Sequence, residues 1–204
     1  DYVRPISAIR YLARIGKLPL IPGLIEEITS STAQTYHSHL AFYIGSIAVN
    51  CWPGEPDDPE TDAGGREWIL GQDWLPYQRE FFVTPAFAGY VSGHSGFSRA
   101  AAEVMTLFTG SSFFPGGLFS HTIPAGYLKF EAGPTEDVTL QWATYYDAAD
   151  EAGESRIYGG IHVSPDDGPG RIMGQKIGQA AYKHAKKYWL SLIHISEPTR
   201  RNSI

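Results

Sequence analysis

Hydrophobic and polar positions along the chain predict helices at both ends and a loop-rich middle. Apolar residues recur at helical spacing over residues 5–15, with Pro5 at a first-turn position and Gly16 after the last turn. An Ala-rich stretch over 96–108 and a C-terminal stretch over 170–189 show the same spacing. The pattern therefore predicts three helices of a mainly α fold.

Three further elements are predicted between these helices. The apolar run over 40–52 follows a Ser/Thr cluster, and together they predict a helix over about 32–50. Residues 135–152 begin with a threonine typical of an N-cap and two acidic residues, so we expect a helix there that ends at Gly153. A short alternating stretch over 127–130 predicts a strand or hairpin.

Composition describes a globular domain rather than a membrane or nucleic-acid-binding protein. The chain has 204 residues, which suits one domain, and its 22 Gly and 14 Pro indicate many loops. A net charge of −6 argues against nucleic acid and anionic membrane surfaces, and the longest uncharged apolar run, 40–52, is too short to span a bilayer. The single cysteine, Cys51, excludes an intramolecular disulfide. We expect a helical bundle with long loops in one soluble domain.

Both ends of the chain indicate that residues 1–189 are a truncated domain. Asp1 is not an initiator methionine, so we expect an upstream part, which would include any export signal. One unpaired cysteine is compatible with export. Residues 190–204, LSLIHISEPTRRNSI, have no continuing helical period and resemble translated sequencing-adapter sequence. The alternative is an ordinary frayed tail.

Residues 155–170, SRIYGGIHVSPDDGPG, concentrate side chains suited to chemistry. Arg156, His162 and Asp166 follow one another at intervals of six and four residues. An i, i+4 spacing would place His162 and Asp166 on one helix face, where the carboxylate can orient the imidazole. Arg156 offers a planar fork of donors for an oxyanion, and Asp167 is predicted to be a helix N-terminal acid. The stretch predicts one half of an anion site.

Two other segments could supply the second half of this anion site. Ser92-Gly93-His94 is typical of a tight turn that opens the Ala-rich helix, and a helix start directs N–H groups and positive partial charge at an anion. Ser92 would donate its hydroxyl, Gly93 would let the backbone approach, and His94 could exchange a proton. Arg4 would add a second guanidinium. Taken singly, each segment is more typical of ordinary structure.

Three short blocks follow one another along the chain: Arg4-Pro5, Ser92-Gly93-His94, and Ser155-Arg156 with His162 and Asp166. In this order and spacing they resemble the signature of the superfamily of vanadium-dependent haloperoxidases and type 2 phosphatidic acid phosphatases. The run TPAFAGYVSGHSGFSRAAAEV is more similar to the haloperoxidase branch. Val91 stands where the family usually has Pro, and the family's upstream lysine falls before Asp1.

The resemblance implies a vanadate-dependent enzyme that oxidises halide with hydrogen peroxide and acts on a small organic substrate. It implies that His162 ligates vanadium, that Asp166 orients the imidazole, and that His94 assists deprotonation of peroxide. The oxygens of vanadate would be bound by Arg4, Arg156, Ser92 and Gly93. Phe87 occupies a position described as halide-selective, with Phe in the chloroperoxidase-like form.

Two alternatives use the same residues. Phosphate shares the charge and tetrahedral shape of vanadate, so the chain could be a soluble phosphomonoesterase. His162 would then attack phosphorus to form a phosphohistidine, and His94 would protonate the leaving alcohol. The chain could also be a degenerate family member that binds phosphate without catalysis. The missing lysine favours this alternative, although truncation explains it more simply.

Overall fold

The computed structural model of the chain is mainly α-helical, as the sequence predicts. It describes residues 3–58, 61, 64–78, 81–129 and 133–196, and gives only the helical backbone for 190–196. Within these residues the α-helices and strands are α1 Pro5–Arg14, β1 Ile25–Glu27, β2 Ile47–Cys51, β3 Glu67–Leu70, α2 Gly93–Thr109, β4 Phe119–Ile123, β5 Val138–Trp142, α3 Tyr145–Tyr158 and α4 Ser164–Ser196. Among the described helices, none has both the length and the apolar character needed to cross a bilayer.

The chain divides into two compact units. The first comprises Asp1–Tyr90, Thr122–Thr139 and Arg156–Ser164, and the second comprises Val91–His121, Leu140–Ser155 and Pro165–Ile204. The predicted site residues are divided between them. The first unit contains Arg4, Phe87, Arg156 and His162, and the second contains Ser92, Gly93, His94 and Asp166.

The first unit is built around β2, which is buried on both faces. The strands pair antiparallel in the order β1-β2-β3, so that Val49 lies opposite Ile25 on one side and Ile69 on the other. Successive side chains of a strand point to opposite faces. The core against α1 contains Ile47, Val49 and Cys51, whereas the other core contains Ala48 with Ile28, Leu40 and Leu70.

The helix predicted over 32–50 is wrong. The structure has short 3₁₀ turns at Thr32–Gln34 and Ser38–Tyr43, followed by β2. A strand that is buried on both faces does not alternate apolar and polar residues, and Ile47, Ala48 and Val49 of β2 are accordingly three apolar residues in a row. Such a run does not distinguish a strand from a buried helix by periodicity, but β-branched Ile47 and Val49 favour the strand.

His37 is a completely buried histidine in the first unit. The centroids of the Tyr36 and Trp68 rings both lie 4.5 Å from its imidazole centroid, in edge-on contacts. Burial lowers the pKa of His37, although the charge of Glu26 acts in the opposite direction. The neutral imidazole is therefore the form that the fold favours, and His37 belongs to the core.

We expect folding stability to decrease as the pH falls below the ordinary histidine pKa of about 6.5. The folded pKa of His37 is lower, so below pH 6.5 the unfolded chain binds a proton that the folded chain does not. The contribution is fully present above that pH and is lost as the pH falls towards the folded value. Urea unfolding between about pH 5 and pH 8 measures this dependence. His37→Phe should reduce it, and His121→Phe, at an exposed position, should not; equal dependence in both variants would contradict the prediction.

The second unit contains a tightly packed contact between helices. Ala102 of α2 is completely buried and packs with Tyr145 and Ala149 of α3. Helix α4 approaches α2 so closely that a Cβ atom added at several glycines of α4 would meet the backbone of α2. These glycines share one face of α4, because they are four residues apart: Gly170, Gly174 and Gly178.

A helix does lie within the predicted range 135–152, but its predicted start and its predicted end at Gly153 are wrong, whereas the helices predicted over 5–15, 96–108 and 170–189 are confirmed. Residues 138–142 form β5, which pairs with β4, and α3 begins only at Tyr145 and continues through Gly153. Residues 127–129 form no strand, and residue 130 lies outside the described part. Helices α1 and α2 occur where the periodicity predicts them. Helix α4 begins six residues before the predicted start and extends beyond residue 189. The non-native origin of 190–204 stays a prediction.

Candidate active site

His162 lies in a turn that follows α3. The carbonyl oxygen of Arg156 accepts hydrogen bonds from the N–H groups of Ile161 and His162, each at 3.2 Å. Gly160 within the turn has φ of 72°, which glycine adopts without the strain that a side chain would cause. A Cβ atom added there would lie 3.1 Å from the Trp74 ring. Glycine at position 160 therefore lets the chain change direction beside the Trp74 ring. This change of direction brings the N–H of His162 to the carbonyl oxygen of Arg156.

Arg4 is buried and hydrogen-bonded to this turn. Only 6% of Arg4 and 7% of His162 are exposed. The Nη1 of Arg4 donates to the carbonyl oxygen of Ile161 at 3.0 Å, and it lies 2.9 Å from Nε2 and 3.5 Å from Nδ1 of His162. Because a guanidinium can only donate, the shorter distance assigns Nε2 as the acceptor. That nitrogen then carries the lone pair that a ligand bond or a nucleophilic attack requires.

The backbone and ring of Phe87 also contact Arg4. The Nε of Arg4 donates to the carbonyl oxygen of Phe87 at 3.0 Å. The Phe87 ring lies over the guanidinium, with 5.1 Å between the ring centroid and Cζ, which is a cation–π geometry. These two contacts, together with the bond to Ile161, fix the position of the guanidinium.

Arg156 is the other predicted anion-binding arginine of the first unit. The residue is half-buried, and its buried Nε has no hydrogen-bond partner among the described residues. Burial lowers the pKa of Arg156, and the positive charge of Arg4 lowers it further. An anion that accepted from this guanidinium would supply the missing bond and relieve the repulsion. These donors therefore fit a tetrahedral oxyanion such as vanadate or phosphate.

In the second unit, Ser92 is the N-cap of α2. Its Oγ accepts a hydrogen bond from the Ser95 N–H at 3.4 Å, and its own N–H donates to the carbonyl oxygen of Asp166 at 3.0 Å. Ser92 and Ser95 are completely buried, whereas Gly93 and His94 are exposed. The first N–H groups of a helix have no acceptor within the helix and carry partial positive charge. The turn thus opens α2 as predicted, and the structure adds that its histidine is exposed.

Asp166 lies in the first turn of α4 and is 1% exposed. His162 precedes α4, which begins at Ser164, so the prediction that His162 and Asp166 share one helix face is wrong. Pro165 explains why α4 begins after His162, because proline favours the first turn of a helix and not its interior. The role of Asp166 as an orienting carboxylate stays a prediction.

Sequence reasoning did not identify the partners of Asp167. This residue is 8% exposed, and its Oδ1 accepts a hydrogen bond from Ser95 Oγ at 2.6 Å. Arg171 binds the same carboxylate through Nε at 3.0 Å and Nη2 at 2.7 Å. The i, i+4 spacing of Asp167 and Arg171 is visible in the sequence. The contact with Ser95, 72 positions earlier, is not.

A family comparison matches nearly the whole chain. Residues 1–191 match the family model described as the VCPO second helical-bundle domain. The chain belongs to this family. The match confirms the resemblance of the three sequence blocks to the vanadium haloperoxidase and type 2 phosphatidic acid phosphatase superfamily.

Solved structures show that the VCPO-type domain has relatives of the same fold. A holo-type bacterial vanadium-dependent chloroperoxidase is 17% identical, with a TM-score of 0.62 over 91% of this chain and 30% of that chain. The apo-type bacterial enzyme is 19% identical, with a TM-score of 0.63 over 91% of this chain and 31% of that chain. The VCPO-type domain thus spans less than a third of these proteins. No curated protein matches its sequence.

Proposed function

We propose that this VCPO-type domain binds vanadate and takes part in the oxidation of halide by hydrogen peroxide. The observation that carries the proposal is the pair of arginines in the first unit. Arg156 has a buried Nε without a hydrogen-bond partner among the described residues, and the charge of Arg4 acts on it directly. Such a pair favours the bound state of an oxyanion, because the anion neutralises charges that otherwise repel each other.

Each residue of the first unit has a proposed role towards the oxyanion. Arg4 and Arg156 would donate hydrogen bonds to its oxygens. His162 would hold the metal through Nε2, the nitrogen that Arg4 approaches at 2.9 Å. Arg4 would therefore exchange its bond to His162 for a bond to the oxyanion. Bound vanadate would supply a Lewis acid that activates peroxide without a change in its own oxidation state.

The second unit would contribute donors and a proton acceptor. Ser92 would donate its hydroxyl and Gly93 its backbone N–H, because both belong to the start of α2. His94 is exposed and would accept a proton from peroxide as a general base. Asp166 would orient the imidazole of His162, as carboxylates do for other metal-bound histidines.

Phe87 is proposed to influence halide selectivity. It is 71% exposed and lies over the guanidinium of Arg4. A substitution at this position would change the polarity beside a cation that the oxyanion requires. Hydrogen peroxide, halide and a small organic molecule would be the substrates.

The test is peroxide-dependent bromination of a phenolic dye by the natural full-length protein, with and without added vanadate. We expect vanadate-dependent activity that His162→Ala abolishes, because losing even an outer partner of a metal ligand typically costs about 10–100-fold. His121→Ala removes an exposed histidine of β4 and should retain activity.

Absence of bromination, chlorination and iodination in the presence of vanadate would contradict the haloperoxidase proposal. Hydrolysis of a phosphate monoester, lost in His162→Ala and inhibited by vanadate, would then support the phosphatase alternative, in which His162 is the nucleophile. Phosphate binding without either activity would indicate a non-catalytic family member.

A further inference from the structure

A buried hydrogen bond connects the first turn of α2 to the first turns of α4. Ser95 is the third residue of α2, and its Oγ donates to Asp167 Oδ1 at 2.6 Å. Ser95 is completely buried and Asp167 is 8% exposed. A hydroxyl bound to a carboxylate at this distance forms a charge-assisted hydrogen bond, which is stronger than a neutral one.

Arg171 holds the Asp167 carboxylate from within α4. Its Nε lies 3.0 Å from Oδ1, and its Nη2 lies 2.7 Å from Oδ2, so the contact is bidentate. Arg171 also pairs with Asp150 at 3.0 Å and with Glu154 at 3.4 Å, both on α3. The orientation of the carboxylate towards Ser95 is therefore set by an arginine that is itself anchored to a second helix.

Two glycines provide the space for this bond. A Cβ atom at Gly153 of α3 would overlap the Asp167 carboxylate and lie 2.9 Å from Ser95 Oγ. A Cβ atom at Gly170 of α4 would lie 3.0 Å from both Ser92 O and Ser95 Cβ. The backbones of α3 and α4 thus lie in close contact with the Ser95–Asp167 pair, which leaves little space for other conformations of the two side chains.

We propose that Asp167, braced by Arg171, is a positioning residue for the Ser92–His94 turn and thereby determines how tightly the domain binds an oxyanion. The proposal rests on the proposed function of that turn. Ser95 directly follows His94, and its N–H binds the hydroxyl of Ser92. Fixing Ser95 therefore fixes the first turn of α2, which as a helix end would otherwise fray. Donors that are already in place bind an anion more tightly than donors that must first be ordered.

The test compares anion affinity in four variants of the full chain, with inorganic phosphate and orthovanadate as calorimetric probes. Ser95→Ala and Asp167→Ala should each lower the affinity for both anions by roughly tenfold, which is the usual effect of losing a residue that orients a ligand-binding residue. The anion affinity of the double variant should equal that of the single variant with the lower affinity, because each substitution removes the same Ser95–Asp167 hydrogen bond.

Glu103→Ala is the matched control. Glu103 is a buried carboxylate of α2 that accepts hydrogen bonds from Tyr146 of α3 at 2.6 Å and from Gln179 of α4 at 2.8 Å, about two turns beyond Ser95 and outside the contacts of Arg171. We expect this variant to lose stability while its anion affinity stays at the wild-type value. Hydrogen exchange of the amides of residues 93–96, measured without anion, should be faster in Ser95→Ala and Asp167→Ala than in Glu103→Ala.

Each outcome separates the positioning role from the proposed function. Wild-type affinity in Ser95→Ala and Asp167→Ala overturns the positioning role and leaves the proposed function intact. Equal losses of affinity in Glu103→Ala and Asp167→Ala also overturn it, because general destabilisation then explains both. If the unsubstituted protein binds neither anion, the proposed function fails and the positioning role fails with it.

Discussion

Arg156→Met is expected to weaken phosphate and vanadate binding on the order of 100-fold while raising the thermal stability of the protein. The loss follows because a hydrogen bond to a charged group contributes about 1.5–3 kcal/mol, and 1.4 kcal/mol corresponds to about tenfold in affinity. The gain in stability follows because Met occupies the same half-buried position without a partnerless buried Nε and without the charge that repels Arg4.

Thermal unfolding with and without phosphate measures both effects. A ligand that binds only the folded state raises the midpoint of unfolding. Phosphate should therefore stabilise the wild-type protein and have little effect on Arg156→Met. Arg14→Met is the control, because Arg14 is an exposed basic residue in the last turn of α1 and the change in net charge is the same. Wild-type phosphate affinity in Arg156→Met, or a lower midpoint of unfolding, would contradict the prediction.

The opposite signs of these two effects reflect a general property of binding sites. The carbonyl oxygens of Phe87 and Ile161 accept hydrogen bonds from Arg4 and hold its guanidinium in position, and the charge of Arg4 lowers the pKa of Arg156. Keeping two like charges near each other destabilises the free protein, and that cost is recovered only when an anion binds. Functional sites commonly retain such destabilising interactions, because a substitution that removes the repulsion also removes the positive charge that binds the anion.

Local signals in the sequence predicted α1 and α2. Pro5 suits the first position of α1, because its φ is already helical and no N–H is needed there, and the Ser92 hydroxyl accepts the N–H of Ser95 at the start of α2. The order and spacing of three short blocks likewise led to the correct family, which the match over residues 1–191 confirms. These features depend on residues that are close in sequence.

Features that depend on distant residues were not predictable in the same way. β2 was assigned to a helix because its apolar run lacks alternation, and only its burial on both faces explains that run. The segment before α3 has an N-cap signal at Thr135, but pairing with β4 makes residues 138–142 a strand. The bond between Ser95 and Asp167 needs the packing of α2 on α4, which no local pattern contains.

Gly174→Ala is expected to destabilise the protein by about 1–3 kcal/mol, the usual effect of forcing an extra carbon into a packed contact. A Cβ atom at this position of α4 would overlap the carbonyl oxygen of Gly96 in α2 and would lie 3.1 Å from Arg99 Cβ. The nearest obstacle is backbone, so it cannot rotate away as a side chain could. Alanine favours a helix over glycine by up to about 1 kcal/mol, which offsets only part of the loss.

Gly168→Ala separates helix propensity from helix packing. Gly168 belongs to the same helix, but a Cβ atom added there meets nothing within 4 Å. This variant should be as stable as the wild type or more stable by up to about 1 kcal/mol. Urea unfolding should therefore show a lower free energy of unfolding for Gly174→Ala and an equal or higher one for Gly168→Ala, although both substitutions add the same methyl group. Equal stability of Gly174→Ala and Gly168→Ala would show that α4 does not need glycine to approach α2, and the close helix contact would then be wrong.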